Sequence, residues 1–133
     1  MKRKSSKVLW IDAPDIKARI EHLVEKASID WVHTERIACV RSGNSSARAY
    51  ARIWGLNQVW QQVLDVPSYY CIEVLSEKFD HLPEHHKDEI LLHELAHIPR
   101  TFSGALTPHT RRGKGSFHDK LKQMIAAYAR SFR

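Results

Sequence analysis

The chain has 133 residues and a formal net charge of +6, and 43% of its residues are hydrophobic and 27% charged. This composition is typical of a soluble globular protein that is long enough for one domain with a proper core. No apolar run approaches the roughly 20 residues that a bilayer-spanning helix needs, which excludes a transmembrane helix. We predict a flexible basic arm at residues 1–9 and a single domain at residues 10–133.

The basic excess is concentrated at the two ends of the chain, at Lys2, Arg3, Lys4, Lys7, Arg111, Arg112, Lys114, Lys120, Lys122, Arg130 and Arg133. Such clusters can bind nucleic acid, and they also occur in solvated tails, so both interpretations stay open. The apolar segment at residues 8–11 is too short for a secretory signal, and we predict a cytoplasmic protein. Cys39 and Cys71 stand alone, which indicates buried thiols rather than metal ligands.

The spacing of apolar residues predicts an α+β fold. Helical periodicity predicts helices at residues 14–28, 83–98 and 117–131. Segments rich in β-formers predict strands at residues 35–41, 47–54 and 69–75, and residues 58–66 fit either a short helix or a strand. These elements suit an N-terminal helix and a small sheet of three to four mostly antiparallel strands, followed by two more helices.

The helix at residues 83–98 contains the motif H-E-x-x-H as His93, Glu94 and His97. Residues four apart lie on one face of a helix, so the two imidazoles point the same way and can share one zinc ion. Glu94 is offset by roughly 100° around the helix, which keeps it off the metal but beside a bound water. A carboxylate in that position can act as general base and then as general acid.

A catalytic zinc usually has three protein ligands, so one more must come from elsewhere in the chain. His109 lies in a loop rich in Pro and Gly, and His118 lies in the first turn of the last helix. Either can fold back onto the motif helix, and the choice stays open. Asp119 is interpreted as a residue favoured by the helix dipole or as a hydrogen-bond partner of a ligand histidine. His86 is two turns from His93, too far to bind the same metal.

The chain also resembles a known group, the small predicted metallopeptidases of archaea, bacteria and phages. The likeness covers roughly residues 45–125 and includes residues 51–56, 72–75, 93–99, 102–106 and 108–109. More distantly the chain is similar to SprT- and Spartan-type minimal zincins, in which the histidine downstream of the motif is followed by Gly. His109 is followed here by Thr110, whereas related phage sequences use a His-Asp pair like His118-Asp119. The resemblance implies a zinc ion and peptide hydrolysis.

These observations lead to the hypothesis of a zinc-dependent peptidase of the minimal zincin type, acting on a peptide or protein substrate. The strand at residues 69–75 is expected to offer its free edge to an extended peptide. One alternative is a DNA-associated module with basic termini, and another is a zinc-binding domain without activity. A protein ligand in the fourth coordination position would favour the inactive domain, and an open position would favour catalysis.

Overall fold

Four strands form one mixed sheet in the computed structural model, which describes residues 7–111, 113 and 115–132. The strands are β1 (Leu9–Asp12), β2 (Ile37–Gly43), β3 (Ala51–Gly55) and β4 (Tyr70–Leu75), and their order in the sheet is β1-β2-β4-β3. The β1–β2 and β3–β4 pairs are antiparallel, and β2 pairs with β4 in parallel. The predicted α+β class and the mostly antiparallel sheet are confirmed.

Five helices accompany the sheet in the described residues: α1 (Pro14–Lys26), α2 (Gln58–Leu64), α3 (Ser76–Phe79), α4 (Glu84–Ala96) and α5 (Phe117–Arg130). The three helices predicted from periodicity are therefore confirmed as α1, α4 and α5. The ambiguous residues 58–66 form α2, which Asn57 caps by accepting a hydrogen bond from the Trp60 N–H. Pro83 occupies the N-cap of α4.

The core lies between the sheet and helices α1, α4 and α5. Strand alternation places β-branched and aromatic residues of β2, β3 and β4 on the buried face, among them Ile37, Ile53, Tyr70, Ile72 and Val74. The helices contribute Ile16, Ile20 and Leu23 from α1, Leu91, Leu92 and Leu95 from α4, and Phe117 and Met124 from α5. This packing brings α4 alongside β3 and α5.

The predicted strand at residues 69–75 is present as β4, but the prediction that it offers a free edge is wrong. β4 lies inside the sheet, with β2 paired to one edge and β3 to the other. β4 is buried at five of its six residues, and its β-formers Tyr70, Ile72 and Val74 gave its sequence the strongest strand pattern. The free edge beside α4 belongs to β3, which begins at Ala51 rather than at residue 47.

The N-terminal part of the described chain joins the sheet. Leu9, which the sequence assigned to a flexible arm, begins β1 and pairs with Gly43 of β2. Residues 1–6 of that predicted arm lie outside the described residues. Within the described part, no helix is long and apolar enough to cross a membrane.

Both cysteines are free thiols. Cys39 is buried, as predicted, while Cys71 is partly exposed. Burial raises the pKa of the Cys39 thiol to about 12 and that of Cys71 in the same direction. Both groups are therefore protonated near neutral pH, which suits a packing role better than a metal-binding one.

Candidate metal centre

The motif histidines of helix α4 face an open cleft, because the opposite side of the helix packs into the core. Leu91 and Leu95 are fully buried, whereas His93 and His97 are only partly buried on the cleft side. The two imidazole ring centroids are 5.2 Å apart, as expected for residues one helical turn apart. Pro99 prevents continuation of the helix, so His97 lies at its very end as the C-cap.

His109 joins these two histidines from the loop between α4 and α5. Its ring centroid is 5.0 Å from that of His93 and 4.4 Å from that of His97. One nitrogen from each of the three rings lies within 4.8 Å of the others. The structure thus brings together both motif histidines and one of the two candidate third ligands.

The donor set fits a small tetrahedral cation. The Nε2 atoms of His93 and His109 are 3.0 Å apart. Two nitrogens that bind zinc tetrahedrally at about 2.05 Å would lie about 3.3 Å apart, close to the observed separation. Burial lowers the pKa of His93 to about 4, with smaller contributions from His97 and His109, so the imidazole is neutral at pH 7. Neutral imidazole is the form that binds a metal.

Thr107 fixes the orientation of His97 through its backbone. The Nδ1 atom of His97 is 2.6 Å from the carbonyl oxygen of Thr107, and the Thr107 N–H donates to the His97 carbonyl at 2.7 Å. Since a carbonyl only accepts, Nδ1 must carry the proton and Nε2 keeps the lone pair. A hydrogen bond of this kind selects the tautomer and holds the ring direction of a ligand histidine.

The apolar ring of Phe117 packs against all three imidazoles. Its ring centroid is 4.9 Å from that of His93, 4.4 Å from that of His97 and 4.8 Å from that of His109. Phe117 is buried and opens helix α5. Ser116 caps this helix by accepting a hydrogen bond from the Asp119 N–H. The start of α5 therefore limits how far each ring can turn.

The chain segment that leads to His109 is attached to the sheet by side chains. The Tyr70 hydroxyl donates to the Ala105 carbonyl at 2.7 Å and accepts from the Gly104 N–H at 2.8 Å. The side-chain amide of Gln61 donates to the Ser103 carbonyl at 2.8 Å. Ser68 donates to the Phe102 carbonyl at 2.5 Å. These bonds hold the first part of the loop in one position although it lacks regular secondary structure.

On helix α4, Glu94 lies between the side that carries His93 and His97 and the side that packs into the core. It is 8% exposed, and burial raises the pKa of its carboxyl group to about 7. A cation among the neighbouring histidines would favour the ionised carboxylate. Glu94 also lines the cleft, together with the three histidines. A buried carboxylate that still reaches the cleft is suited to proton transfer.

The cleft has a volume of about 850 Å³ and extends well beyond the histidines. One wall is the strand β3 with the residues before it, from Ala49 to Ile53. The opposite wall contains Ile90 from α4 together with Leu121 and Ile125 from α5. Tyr50 and His86, whose ring centroids are 5.8 Å apart, lie at the end of the cleft near the start of α4.

His118, the other candidate ligand, is exposed and lies outside the histidine group of the described residues. Its backbone N–H donates to the Thr110 carbonyl at 3.0 Å, which helps to place the start of α5. Asp119 accepts hydrogen bonds from the Gly115 N–H and from the side-chain amide of Gln123, so its contacts stabilise the first turn of α5.

Three residues that contribute to the site were not identified from the sequence. Neither Phe117 nor Thr107 was among the site residues predicted from the sequence. Lys120 was counted with the exposed basic residues, but it is 9% exposed, and its ammonium group donates to the Ile98 carbonyl at 2.6 Å. Lys120 lies three residues after Phe117 and four before Met124 in α5. This helical spacing places it on the buried face and could have predicted its burial.

Two searches, one of curated proteins and one of solved structures, returned no match to this chain. A family model described as "Putative phage metallopeptidase" matches residues 8–127, which include the whole histidine cluster and Glu94. The match extends from β1 almost to the end of α5 and so covers nearly the whole described fold. The chain therefore belongs to this metallopeptidase family.

Proposed function

We propose that the protein is a zinc-dependent peptidase whose ligands are His93, His97 and His109. The observation that carries the proposal is the cluster of three imidazoles beside a buried glutamate in an open cleft. Three imidazole nitrogen donors without a thiolate are a common ligand set of catalytic zinc. Membership of a metallopeptidase family supports the same assignment.

A zinc ion with three protein ligands supplies a Lewis acid and lowers the pKa of a water in its open position to about 7. Glu94 accepts the proton of the attacking water and then delivers it to the leaving amine. Its low exposure supports this role, because few water molecules compete for the carboxylate. Thr107 and Phe117 hold the imidazoles in their orientation during both proton transfers.

The substrate is an extended peptide that pairs with the free edge of β3. This strand uses one edge for β4, and its other side lines the cleft. Backbone pairing of this kind binds a chain without strong dependence on its sequence, and alternate side chains enter pockets. The wall of Ile90, Leu121 and Ile125 favours an apolar side chain next to the cleaved bond.

The test compares the wild type with Glu94→Gln, each loaded with one equivalent of zinc, on a peptide library analysed by mass spectrometry. We expect the wild type to cleave and the variant to lose about 10²- to 10⁴-fold in rate, because general acid–base catalysis contributes that much. Both proteins should keep one bound zinc ion. Glu89→Gln is the matched control, since Glu89 lies on the same helix, lines the same cleft and is exposed.

Two results would contradict the proposal: a wild type with bound zinc that cleaves no peptide, or a Glu94→Gln variant that cleaves at the wild-type rate. The first result would favour the zinc-binding domain without activity. The interaction with nucleic acid stays a prediction. One of the basic residues that motivated it, Lys120, is buried and bonded to Ile98, so it is not available to a phosphate.

A further inference from the structure

The carbonyl group of Ile98, one residue after His97, accepts hydrogen bonds from two distant side chains. Lys120 donates through its ammonium group at 2.6 Å, and Trp31 donates through its indole N–H at 3.2 Å. Helix α4 ends at Ala96 with His97 as its C-cap, so the Ile98 carbonyl lies just past the helix and depends on donors from elsewhere in the chain. The C-terminal end of a helix carries partial negative charge, which an ammonium group there stabilises.

The charge of Lys120 is unusual for its surroundings. Lys120 is 9% exposed, and within the described residues it forms no ion pair with a carboxylate. Burial, and to a lesser extent the cation of Arg100, lowers the pKa of Lys120 to about 8. Its ammonium group lies 5.1 Å from the centroid of the Trp31 ring, over which Arg100 also lies at 4.3 Å.

A buried ammonium group costs free energy, and an apolar side chain of similar length would fill the same space without that cost. The contacts of Lys120 therefore indicate a purpose other than filling the core. The hydrogen bond of its ammonium group joins the end of α4 to the first turn of α5. Three residues earlier on α5 lies Phe117, whose ring contacts all three imidazoles.

Resting on the zinc site proposed above, we propose that Lys120 is a positioning residue for the metal centre. Its bond to Ile98 fixes the C-terminal end of α4 against α5, and this holds His97 and Phe117 at their mutual distance. Thr107 restrains His97 from the loop side, and Lys120 restrains the following residue from the α5 side. His97 is the ligand that depends on this most, because it lies at the C-cap, beyond the last full turn of α4.

The test is the zinc affinity of Lys120→Met, measured at pH 7 by competition with a chromophoric chelator. Loss of a group that orients a metal ligand typically lowers metal affinity by about 10- to 100-fold, and we expect a loss in this range. Cobalt substitution gives a second readout, because its absorption bands report ligand geometry and should shift in the variant. Circular dichroism checks that the protein remains folded.

Two control variants distinguish a positioning role of Lys120 from the general effect of losing a positive charge and from a general loss of protein stability. Lys122→Met removes an exposed cation two residues away on the same helix and should leave zinc affinity within about twofold of wild type. Met124→Ala removes a buried side chain of α5 and should lower the Tm by several degrees without the loss of zinc affinity. If Met124→Ala weakens zinc binding as much as Lys120→Met does, the positioning role is overturned.

Wild-type affinity and an unchanged cobalt spectrum in Lys120→Met also overturn the inference, while the zinc site itself stands. A wild type that binds no zinc overturns both proposals. If Lys120→Met does not fold, Lys120→Gln is measured instead, since it removes the ammonium group that donates to Ile98 and keeps a polar side chain. We expect Lys120→Gln to lose zinc affinity as well, and wild-type affinity in it would overturn the positioning role.

Discussion

His109 and His118 are nine residues apart in the chain, but only His109 has a ring nitrogen within reach of His93 and His97. We therefore expect His109→Ala to lose zinc affinity by at least about 100-fold, since one of three ligands is removed. His118→Ala should bind zinc within a few-fold of wild type, because within the described residues its contact with the loop is made by its backbone N–H. Calorimetric titration of zinc into each metal-free protein measures the two affinities. The opposite pattern would make His118 the third ligand.

The two motif ligands could be predicted from the sequence, whereas the third ligand could not. The helical spacing of four between His93 and His97 predicts their common face, because a helix has a regular geometry. A loop has no such period, so the spacing of His109 from His97 contains no information on direction. The contacts that direct it, such as the Tyr70 bonds to Gly104 and Ala105, come from a strand more than 30 residues earlier in the chain.

At the scale of elements, the loop after α4 depends on Gly104. Its φ is +99°, and a Cβ at this position would lie 2.2 Å from the Leu56 carbonyl oxygen and 2.5 Å from Nε2 of Gln61. We expect Gly104→Ala to lower the free energy of unfolding by about 3 kcal/mol or more, because the carbonyl belongs to the backbone and cannot turn aside. Urea denaturation measures the change.

Gly113→Ala is the matched control for this prediction. Gly113 also has a positive φ, +94°, but a Cβ there would meet nothing within 4 Å. Its cost should be limited to the left-handed backbone, about 1 kcal/mol. Equal losses in the two variants would mean that backbone strain alone, and not the close approach to Leu56, sets the cost at Gly104. Since the same loop leads to His109, Gly104→Ala should also weaken zinc binding, whereas Gly113→Ala should not.

The strands show that a local sequence pattern can predict a strand but not the strands with which it pairs. The apolar residues of β4 predicted a strand correctly, because alternation and β-propensity are local properties. They did not predict which of its edges would be paired, since pairing joins residues that are distant in the chain, such as Ile37 with Tyr70. β3 is short and carries Arg52 and the exposed Trp54, which made its pattern weaker than that of the interior strand.

At the scale of the whole molecule, the helices were predicted well and the arrangement of the sheet was not. Periodic apolar residues such as Ile16, Ile20 and Leu23 define a buried helix face without reference to any partner. The sheet order β1-β2-β4-β3 arises from packing between distant segments. The strand β1 was missed because its four residues are all exposed, so its membership depends on backbone pairing rather than on burial.

The proposed zinc site connects the stability of the whole fold to the metal. His93 and His97 belong to α4, and His109 belongs to a loop attached to β4 through Tyr70, so the three ligands are close together only in the folded chain. A ligand that binds only the folded state at 100 times its Kd stabilises it by about 2.7 kcal/mol. For a chain of this length, that corresponds to a rise in Tm of about 10 °C.

We therefore expect one equivalent of zinc, with a small excess, to raise the Tm of the metal-free protein by about 10 °C in differential scanning calorimetry. A chelator should reverse the shift. Magnesium should leave the Tm unchanged, because it prefers oxygen ligands and the cluster offers only imidazole nitrogens. His109→Ala should lose most of the zinc-dependent rise while keeping its metal-free Tm, since His109 is exposed and contributes little to the core. An equal zinc-dependent rise in this variant would mean that the stabilising ion binds elsewhere, and the three-histidine site would then be wrong.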